Sequence, residues 1–225
     1  MTKRSPITRE RANDAVHSAL RQAILTSALR PGERLNIAEL AEQLRVSLTP
    51  VRNAVQLLAA EGLIDVRPRS GTFVATITPE DVVETFQIRG ALEGLAAELA
   101  CNLITPEQID GMRRHLRALA RPVRTVADRQ QHERDNAALH MALVLASRNI
   151  RLLEAYHRLN AHIQIARVHA EDAEWKDRLR DERMEHDEIV DALEARQPER
   201  AVRAIRVHLD RACHALTRGI SSTTR

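Results

Sequence analysis

One stretch decides the fold of the N-terminal third: LRPGERLNIAELAEQLRVSLTPVRNAVQLLAAEGLIDVRPRSGTFV, residues 29–74. Asn36, followed three residues later by Glu39, predicts the start of a short helix that runs to about Leu44. After a tight turn, Ser47 predicts the cap of another helix, which Gly62 ends. Two short β-branched runs then flank RPRSG, a pattern typical of a hairpin with a basic tip.

A further helix is predicted ahead of this stretch, where Val16, Leu20 and Ile24 recur at helical spacing within 13–26. The order of three helices, a tight turn and a basic hairpin is that of a winged helix-turn-helix, which we place at 8–76. The charge distribution agrees with a DNA-binding role. Residues 1–76 carry 11 Lys and Arg against 7 Asp and Glu, whereas the rest of the chain is close to neutral.

The N-terminal end of the last helix is predicted to enter the major groove, because side chains at that end reach the base edges. Arg52 is long enough for a bidentate contact with guanine, while arginines before the second helix and in the hairpin are placed for phosphates or the minor groove. The alternative is that these arginines are ordinary solvated charges. The DNA-binding candidates are Arg34, Ser47, Thr49, Arg52, Asn53, Arg67 and Arg69.

The remainder of the chain predicts an antiparallel six-helix bundle at 79–220, so the whole protein is expected to be mostly α-helical. Thr78 before Pro79, and Thr105 before Pro106, are typical helix starts. The six helices are predicted at about 79–101, 105–120, 127–147, 150–170, 175–196 and 198–218. Aromatic residues make up only 2% of the chain, so its cores must be aliphatic.

Three histidines and an amide lie on apolar helix faces of this bundle. Asn136 and His140 are four residues apart, His186 precedes Ile189, and His208 follows Ala204 and Ile205 at helical spacing. Imidazole is a good ligand for zinc, nickel or copper, and an i, i+4 pair can chelate one ion. The alternative is that these are hydrogen-bonded core residues, which lone histidines on apolar faces more often are.

Other features indicate a cytoplasmic protein with no membrane partner. No apolar run approaches the roughly 18 residues of a membrane span, and the N-terminus lacks the apolar core of a signal peptide. The two cysteines, Cys101 and Cys213, fit a reducing compartment. We find no glycine-rich phosphate loop, nucleophile elbow or HExxH motif, so we do not expect an enzyme.

Residues 29–74 closely resemble the DNA-binding domain of the GntR family of transcription regulators. The motifs PGERL, LAEQL, VSxTPVR, EGL and SGTFV occur in register. Members of that family usually carry Arg where this chain has Leu48, and Glu where it has Asn53. The family's usual operator preference is therefore not carried over to this chain.

The segments NAALHMALVLASRN (136–149) and ERMEHDEIVDALEARQPERAVRAIRVHL (182–209) resemble the FCD-type effector domain of the FadR branch. Six helices suggest its VanR-like group. The resemblance implies a divalent metal, zinc with nickel or manganese as alternatives, held by Asn136, His140, His186 and His208. His186 and His208 match the family's spacing of 22 residues. Asn136 stands where Asp is common, and an Asn136→Asp change is predicted to strengthen metal binding.

Arg89, Leu92 and Glu93 resemble the family's RxxLE segment. Arg89 either holds a carboxylate of an effector or only pairs with Glu93 at i, i+4. The resemblance implies a homodimeric repressor that binds double-stranded operator DNA under the control of a small organic acid. A metal sensor, a purely structural metal site and a metal-dependent hydrolase are the alternatives.

Overall fold

The computed structural model describes residues 6–169 and 172–223, with the side chains of 12–159, 163, 179 and 181–220. The chain forms two compact units that divide between Ile77 and Thr78. Within the described residues the structure is mostly helical, with one small sheet in the first unit, which confirms the predicted fold class. No described helix is long and apolar enough to cross a membrane.

From residue 6 onward, the first unit consists of three helices and a three-stranded antiparallel sheet. The sheet order is β1-β3-β2. The central strand β3 (Gly71–Val74) pairs with β1 (Arg34–Leu35) on one side and with β2 (Ile64–Arg67) on the other. The sequence predicted only the β2–β3 hairpin, because the two residues of β1 are too few to show a strand pattern. The elements are α1 (Pro6–Leu25), β1 (Arg34–Leu35), α2 (Ile37–Gln43), α3 (Leu48–Ala60), β2 (Ile64–Arg67) and β3 (Gly71–Val74).

Local sequence signals account for the helix boundaries of this unit. The Asn36 side chain accepts hydrogen bonds from two backbone N–H groups of α2 and donates to Glu39, as the predicted cap requires. Ser47 occupies the cap position of α3 but makes no capping hydrogen bond with its side chain. Gly62 follows α3 with a φ of 77°, a left-handed conformation that glycine adopts without strain. Buried Val51 and Leu58 hold α3 in the aliphatic core.

The described residues of the second unit form six helices at nearly the predicted positions. Thr78, Thr105 and Thr125 each form a complete capping box at the start of a helix, and the first two are followed by Pro at the first helical position. The helices are α4 (Pro79–Leu103), α5 (Pro106–Leu119), α6 (Val126–Ala146), α7 (Ile150–His169), α8 (Asp172–Glu194) and α9 (Pro198–Thr223).

Helix α4 lies at the centre of this unit, in contact with α6, α7, α8 and α9. Much of its buried face is made of small residues such as Ala96, Ala97 and Ala100, which let neighbouring helices approach closely. A group of buried polar residues interrupts the aliphatic core where these helices meet. It comprises Arg89, Glu93, His132, Asn136, His140, Glu182, His186 and His208.

Candidate metal centre and nucleic-acid interface

The N-terminal end of α3 presents polar side chains to solvent in the first unit. Ser47, Thr49 and Arg52 are exposed, and Asn53 is partly buried. Leu48, at the first position of α3, is 42% exposed. The buried face of the same helix begins with Pro50 and Val51, so the first turn of α3 already has a distinct exposed polar face and a distinct buried face. This end of α3 can therefore meet a partner without disturbing the core.

The three other candidate arginines, Arg34, Arg67 and Arg69, lie on the small sheet and its turn, and all are exposed. The guanidinium of Arg67 lies 4.8 Å from the centre of the Phe73 ring and also contacts Asp65. Arg34 is in β1 and pairs with Phe73 across the sheet. Arg69, in the turn, has a φ of 63°. The sheet thus brings together arginines that are 35 positions apart in the chain.

In the second unit the three predicted histidine ligands meet in the core. His140 of α6, His186 of α8 and His208 of α9 are each at most 2% exposed. The Nε2 atom of His140 lies 3.4 Å from Nε2 of His186 and 3.2 Å from Nε2 of His208. One nitrogen from each ring can be chosen so that all three lie within 4.8 Å of one another.

Glu93 fixes the orientation of His140. Its Oε2 atom accepts a hydrogen bond from Nδ1 of His140 at 2.6 Å, while its Oε1 atom accepts from Arg89 at 2.6 Å and from the Tyr156 hydroxyl at 3.0 Å. Burial opposes the ionisation of Glu93, but the charge of Arg89 and the hydrogen bonds from His140 and Arg89 outweigh it and hold the pKa of that carboxyl well below its usual range. The carboxylate therefore keeps the proton of the neutral His140 ring on Nδ1 and leaves the lone pair on Nε2.

Glu185 lies beside Nδ1 of His208, as Glu93 lies beside Nδ1 of His140. Its Oε2 atom lies 3.0 Å from Nδ1 of His208, and its Oε1 atom accepts a hydrogen bond from Arg211. Burial lowers the pKa of His208 well below 6.5, which favours the neutral ring that a metal requires. Burial also raises the pKa of Glu185 to about 7, in spite of the neighbouring Arg211.

Asn136 is fully buried one helical turn before His140. Its amide nitrogen donates a hydrogen bond to Oε1 of Glu182 at 2.5 Å. Its amide oxygen has no hydrogen-bond partner among the described residues. A buried oxygen of this kind costs free energy unless it meets a donor or a cation.

The residues present fit a divalent metal. Imidazole nitrogens about 2.0–2.1 Å from a tetrahedral zinc ion are about 3.3 Å apart, close to the two Nε2 separations measured here. Carboxylates stand behind His140 and His208, the outer-shell arrangement common in metal sites. The unpartnered oxygen of Asn136 offers a fourth donor atom.

Arg89 forms the ion pair that the sequence offered as one of its two roles, and its contact with an effector stays a prediction. The pair joins Arg89 to Glu93 at i, i+4, yet the Nη1 atom of Arg89 is buried and has no hydrogen-bond partner among the residues described. Burial acts against its charge, but Glu93 outweighs burial and raises the pKa of Arg89. Arg89 is thus a permanent buried cation whose Nη1 atom carries two N–H donors without an acceptor among the described residues.

Space beside the cluster is small. A cavity of about 10 Å³ adjoins His140 and His186 and is otherwise lined by aliphatic side chains and Met112. Such a volume holds about one water molecule. Any larger ligand that enters here must displace these side chains.

Four polar residues around the cluster were not predicted: the carboxylates Glu182 and Glu185, His132 and the hydroxyl of Tyr156. Glu185 faces α9 and contacts His208. One signal for Glu182 was present in the sequence. Glu182 precedes His186 by four residues, as Asn136 precedes His140, so each pair lies on one helix face.

The chain is similar to known families over both units. Residues 12–74 match the family described as "Bacterial regulatory proteins, gntR family", and residues 84–211 match the FCD domain. These ranges fall in the winged helix unit and the helical unit, respectively.

Relatives are similar over nearly the whole chain. A probable D-xylose utilization operon transcriptional repressor of Paenarthrobacter nicotinovorans is 33% identical over 206 residues, covering 90% of this chain and 88% of the relative. The uncharacterized HTH-type transcriptional regulator YdhC of Bacillus subtilis is 28% identical over 202 residues, covering 89% and 88%. The solved structure of Escherichia coli McbR/YncC matches in fold with a TM-score of 0.75 at 24% identity, covering 92% of this chain and 97% of that one.

Proposed function

Since the chain belongs to the gntR family of bacterial regulatory proteins, as a DNA-binding transcription regulator with an FCD domain, we propose that a divalent metal and a small organic acid bound together in its helical unit control operator binding. Repression is the expected action, because the relative from Paenarthrobacter is named as a repressor. The protein works in the cytoplasm, where its operator is accessible.

One observation carries this proposal: two buried polar atoms of opposite kind lack hydrogen-bond partners among the described residues. The amide oxygen of Asn136 needs a donor or a cation, and Nη1 of Arg89 needs an acceptor or an anion. Asn136 lies one turn from His140 on α6, and Arg89 is connected to His140 through Glu93. A metal cation with a carboxylate beside it would satisfy both atoms.

His140, His186, His208 and Asn136 would hold the metal, for which zinc is the first candidate and nickel or manganese are alternatives. When bound, the metal would supply a positive centre that attracts the carboxylate of the acid. Glu93 keeps the lone pair of His140 on Nε2, and Arg89 offers a charged N–H group to the acid.

Binding controls DNA only if the acid has different affinities for two states of the protein. We propose a homodimer whose two winged helix domains read paired half-sites, with the bound acid shifting the population between DNA-binding and non-binding states. The cavity of about 10 Å³ supports such a coupling, because an acid that enters must move side chains on α5, α6, α8 and α9.

The same small cavity favours one alternative function. If no organic acid enters, the metal itself is the signal and the protein is a metal sensor. Titration calorimetry with a panel of small mono-, di- and tricarboxylates separates the two functions. We expect at least one acid to bind zinc-loaded protein and to lose measurable affinity after chelation. Equal affinity with and without metal would contradict a shared site, and a lack of binding to any acid would favour the sensor.

Arg89→Lys tests the role of Arg89 in this titration, because it keeps a positive charge beside Glu93 but removes the forked guanidinium. Losing one hydrogen bond between charged groups should weaken acid binding by about 1.5–3 kcal/mol while zinc binding remains. Arg151→Lys is the matched control, since the Arg151 side chain is 85% exposed. A variant that binds the acid as tightly as the unchanged protein would exclude Arg89 from the effector site.

The DNA interface has its own prediction. Arg52→Ala should lower specific operator affinity by about 1–3 kcal/mol, as expected from the loss of one bidentate base contact. Arg69→Ala should weaken binding to all duplexes alike and reduce the salt dependence. Fluorescence anisotropy with operator and unrelated duplexes at several salt concentrations measures both effects. Unchanged operator affinity in folded Arg52→Ala protein would show that this end of α3 does not read the bases.

A further inference from the structure

Glu182 is a buried carboxylate with no place in the ligand set described above. It lies on α8, one turn before His186, and is 4% exposed. Its Oε1 atom accepts the hydrogen bond from the amide nitrogen of Asn136, and its Oε2 atom lies 3.8 Å from Nε2 of His132. Burying a carboxylate is costly, so its presence calls for a role.

We propose that Glu182 is the positioning residue of the metal centre, which orients Asn136 and supplies the negative charge that an asparagine ligand lacks. This inference rests on the proposed metal site. The NH₂ group of Asn136 faces Glu182 and donates to its Oε1 atom. The amide oxygen is then turned away from Glu182 and left for the metal.

Charge balance supports the same role. Three neutral imidazoles and an amide leave the charge of a divalent ion uncompensated among its ligands. Glu182 stands behind Asn136, as Glu93 stands behind His140 and Glu185 behind His208. Each of these carboxylates is one hydrogen bond away from a ligand. The group of potential ligand atoms within 4.8 Å of one another, as far as the chain is described, contains the three histidines and no carboxylate.

Glu182→Gln separates this role from simple packing. Glutamine has nearly the same size, but its amide can donate as well as accept, so it no longer forces one orientation on Asn136. It also removes the negative charge. We expect the dissociation constant for zinc to rise by about 10–100-fold, the usual effect of losing an outer-shell partner.

The double variant Asn136→Asp/Glu182→Gln, which exchanges the amide and the carboxylate, should restore zinc affinity. Aspartate has two equivalent oxygens and needs no orienting partner, and the glutamine NH₂ can donate to it. Asn136→Asp alone is different, because it places two carboxylates in contact at a buried site. It should therefore lower the melting temperature of the metal-free protein. Because of Glu182, the single substitution is expected to cost stability without metal, in addition to its predicted effect on metal binding.

Competition against a fluorescent zinc chelator gives the dissociation constant of each variant, and the melting temperature of each metal-free protein gives its stability. Glu188→Gln is the control, because Glu188 is on the same helix but pairs with Arg200 at the surface. We expect weak zinc binding by Glu182→Gln, recovery in the double variant, and no change in the control.

Normal zinc affinity in Glu182→Gln would overturn the inference, and so would a double variant that binds no better than Glu182→Gln. A lower melting temperature with unchanged zinc affinity would show that Glu182 only supports packing. If Glu182→Gln does not fold, the double variant decides alone: affinity within about tenfold of the unchanged protein supports the role, and a larger loss overturns it. Unchanged protein that binds no zinc would overturn the proposed metal site itself, which is a distinct result.

Discussion

Replacing Glu93 with Gln should lower the free energy of unfolding of the metal-free protein by about 3–5 kcal/mol, because it leaves the buried charge of Arg89 without its partner. Arg89 is 1% exposed and Glu93 is fully buried, so solvent cannot compensate. Glutamine keeps one acceptor oxygen, so either Tyr156 or Nδ1 of His140 would meet an amide NH₂ group in place of its acceptor. Urea unfolding followed by circular dichroism measures the change.

The control for this experiment is Glu154→Gln. Glu154 pairs with Arg151 at i, i+3 on α7, but both side chains are largely solvent-exposed. Exposed ion pairs contribute about 0–1 kcal/mol, so this substitution should have little effect. A loss below about 1 kcal/mol for Glu93→Gln would mean that Arg89 does not depend on Glu93, and the assigned network would be wrong.

The second large effect concerns metal removal. Metal that binds only the native state stabilises it by RT ln(1 + [L]/Kd), about 2.7 kcal/mol at a hundredfold excess over Kd. A chelator should therefore lower the melting temperature of the unchanged protein, and zinc or nickel should restore it. His208→Ala should abolish this response, because it removes one of three imidazole ligands.

His214→Ala is the matched control for that experiment, since His214 is exposed on the same helix, α9. It should respond to chelator and metal like the unchanged protein. If the histidines only hydrogen-bond one another, chelator has no effect on any of these proteins. His208→Ala would then cost only about 1–3 kcal/mol, from a buried partner left unsatisfied.

Much of this architecture follows from local signals in the sequence. Helix starts were predictable at Asn36, Thr78 and Thr105, because each capping side chain acts on backbone groups within three residues. The meeting of the three histidines was also expected. Each lies on an apolar helix face, which a bundle must bury.

Apart from the i, i+4 spacing of Glu182 and His186, no signal in the sequence predicted the carboxylates around the histidines. Glutamates are usually solvated, and only the packing of α4, α6, α8 and α9 shows that Glu93, Glu182 and Glu185 turn inward. The pairs Glu93–His140 and Asn136–Glu182 join residues 47 and 46 positions apart. No local pattern encodes such contacts, so they depend on the tertiary fold.

Elemental analysis of the purified, chelator-free protein tests the central claim most directly. We predict about one equivalent of a divalent transition metal per chain in the unchanged protein and in His214→Ala, and none in His208→Ala. This result would place the ion at the histidine cluster of α6, α8 and α9. Metal-free protein that also takes up no zinc or nickel on dialysis would contradict the account.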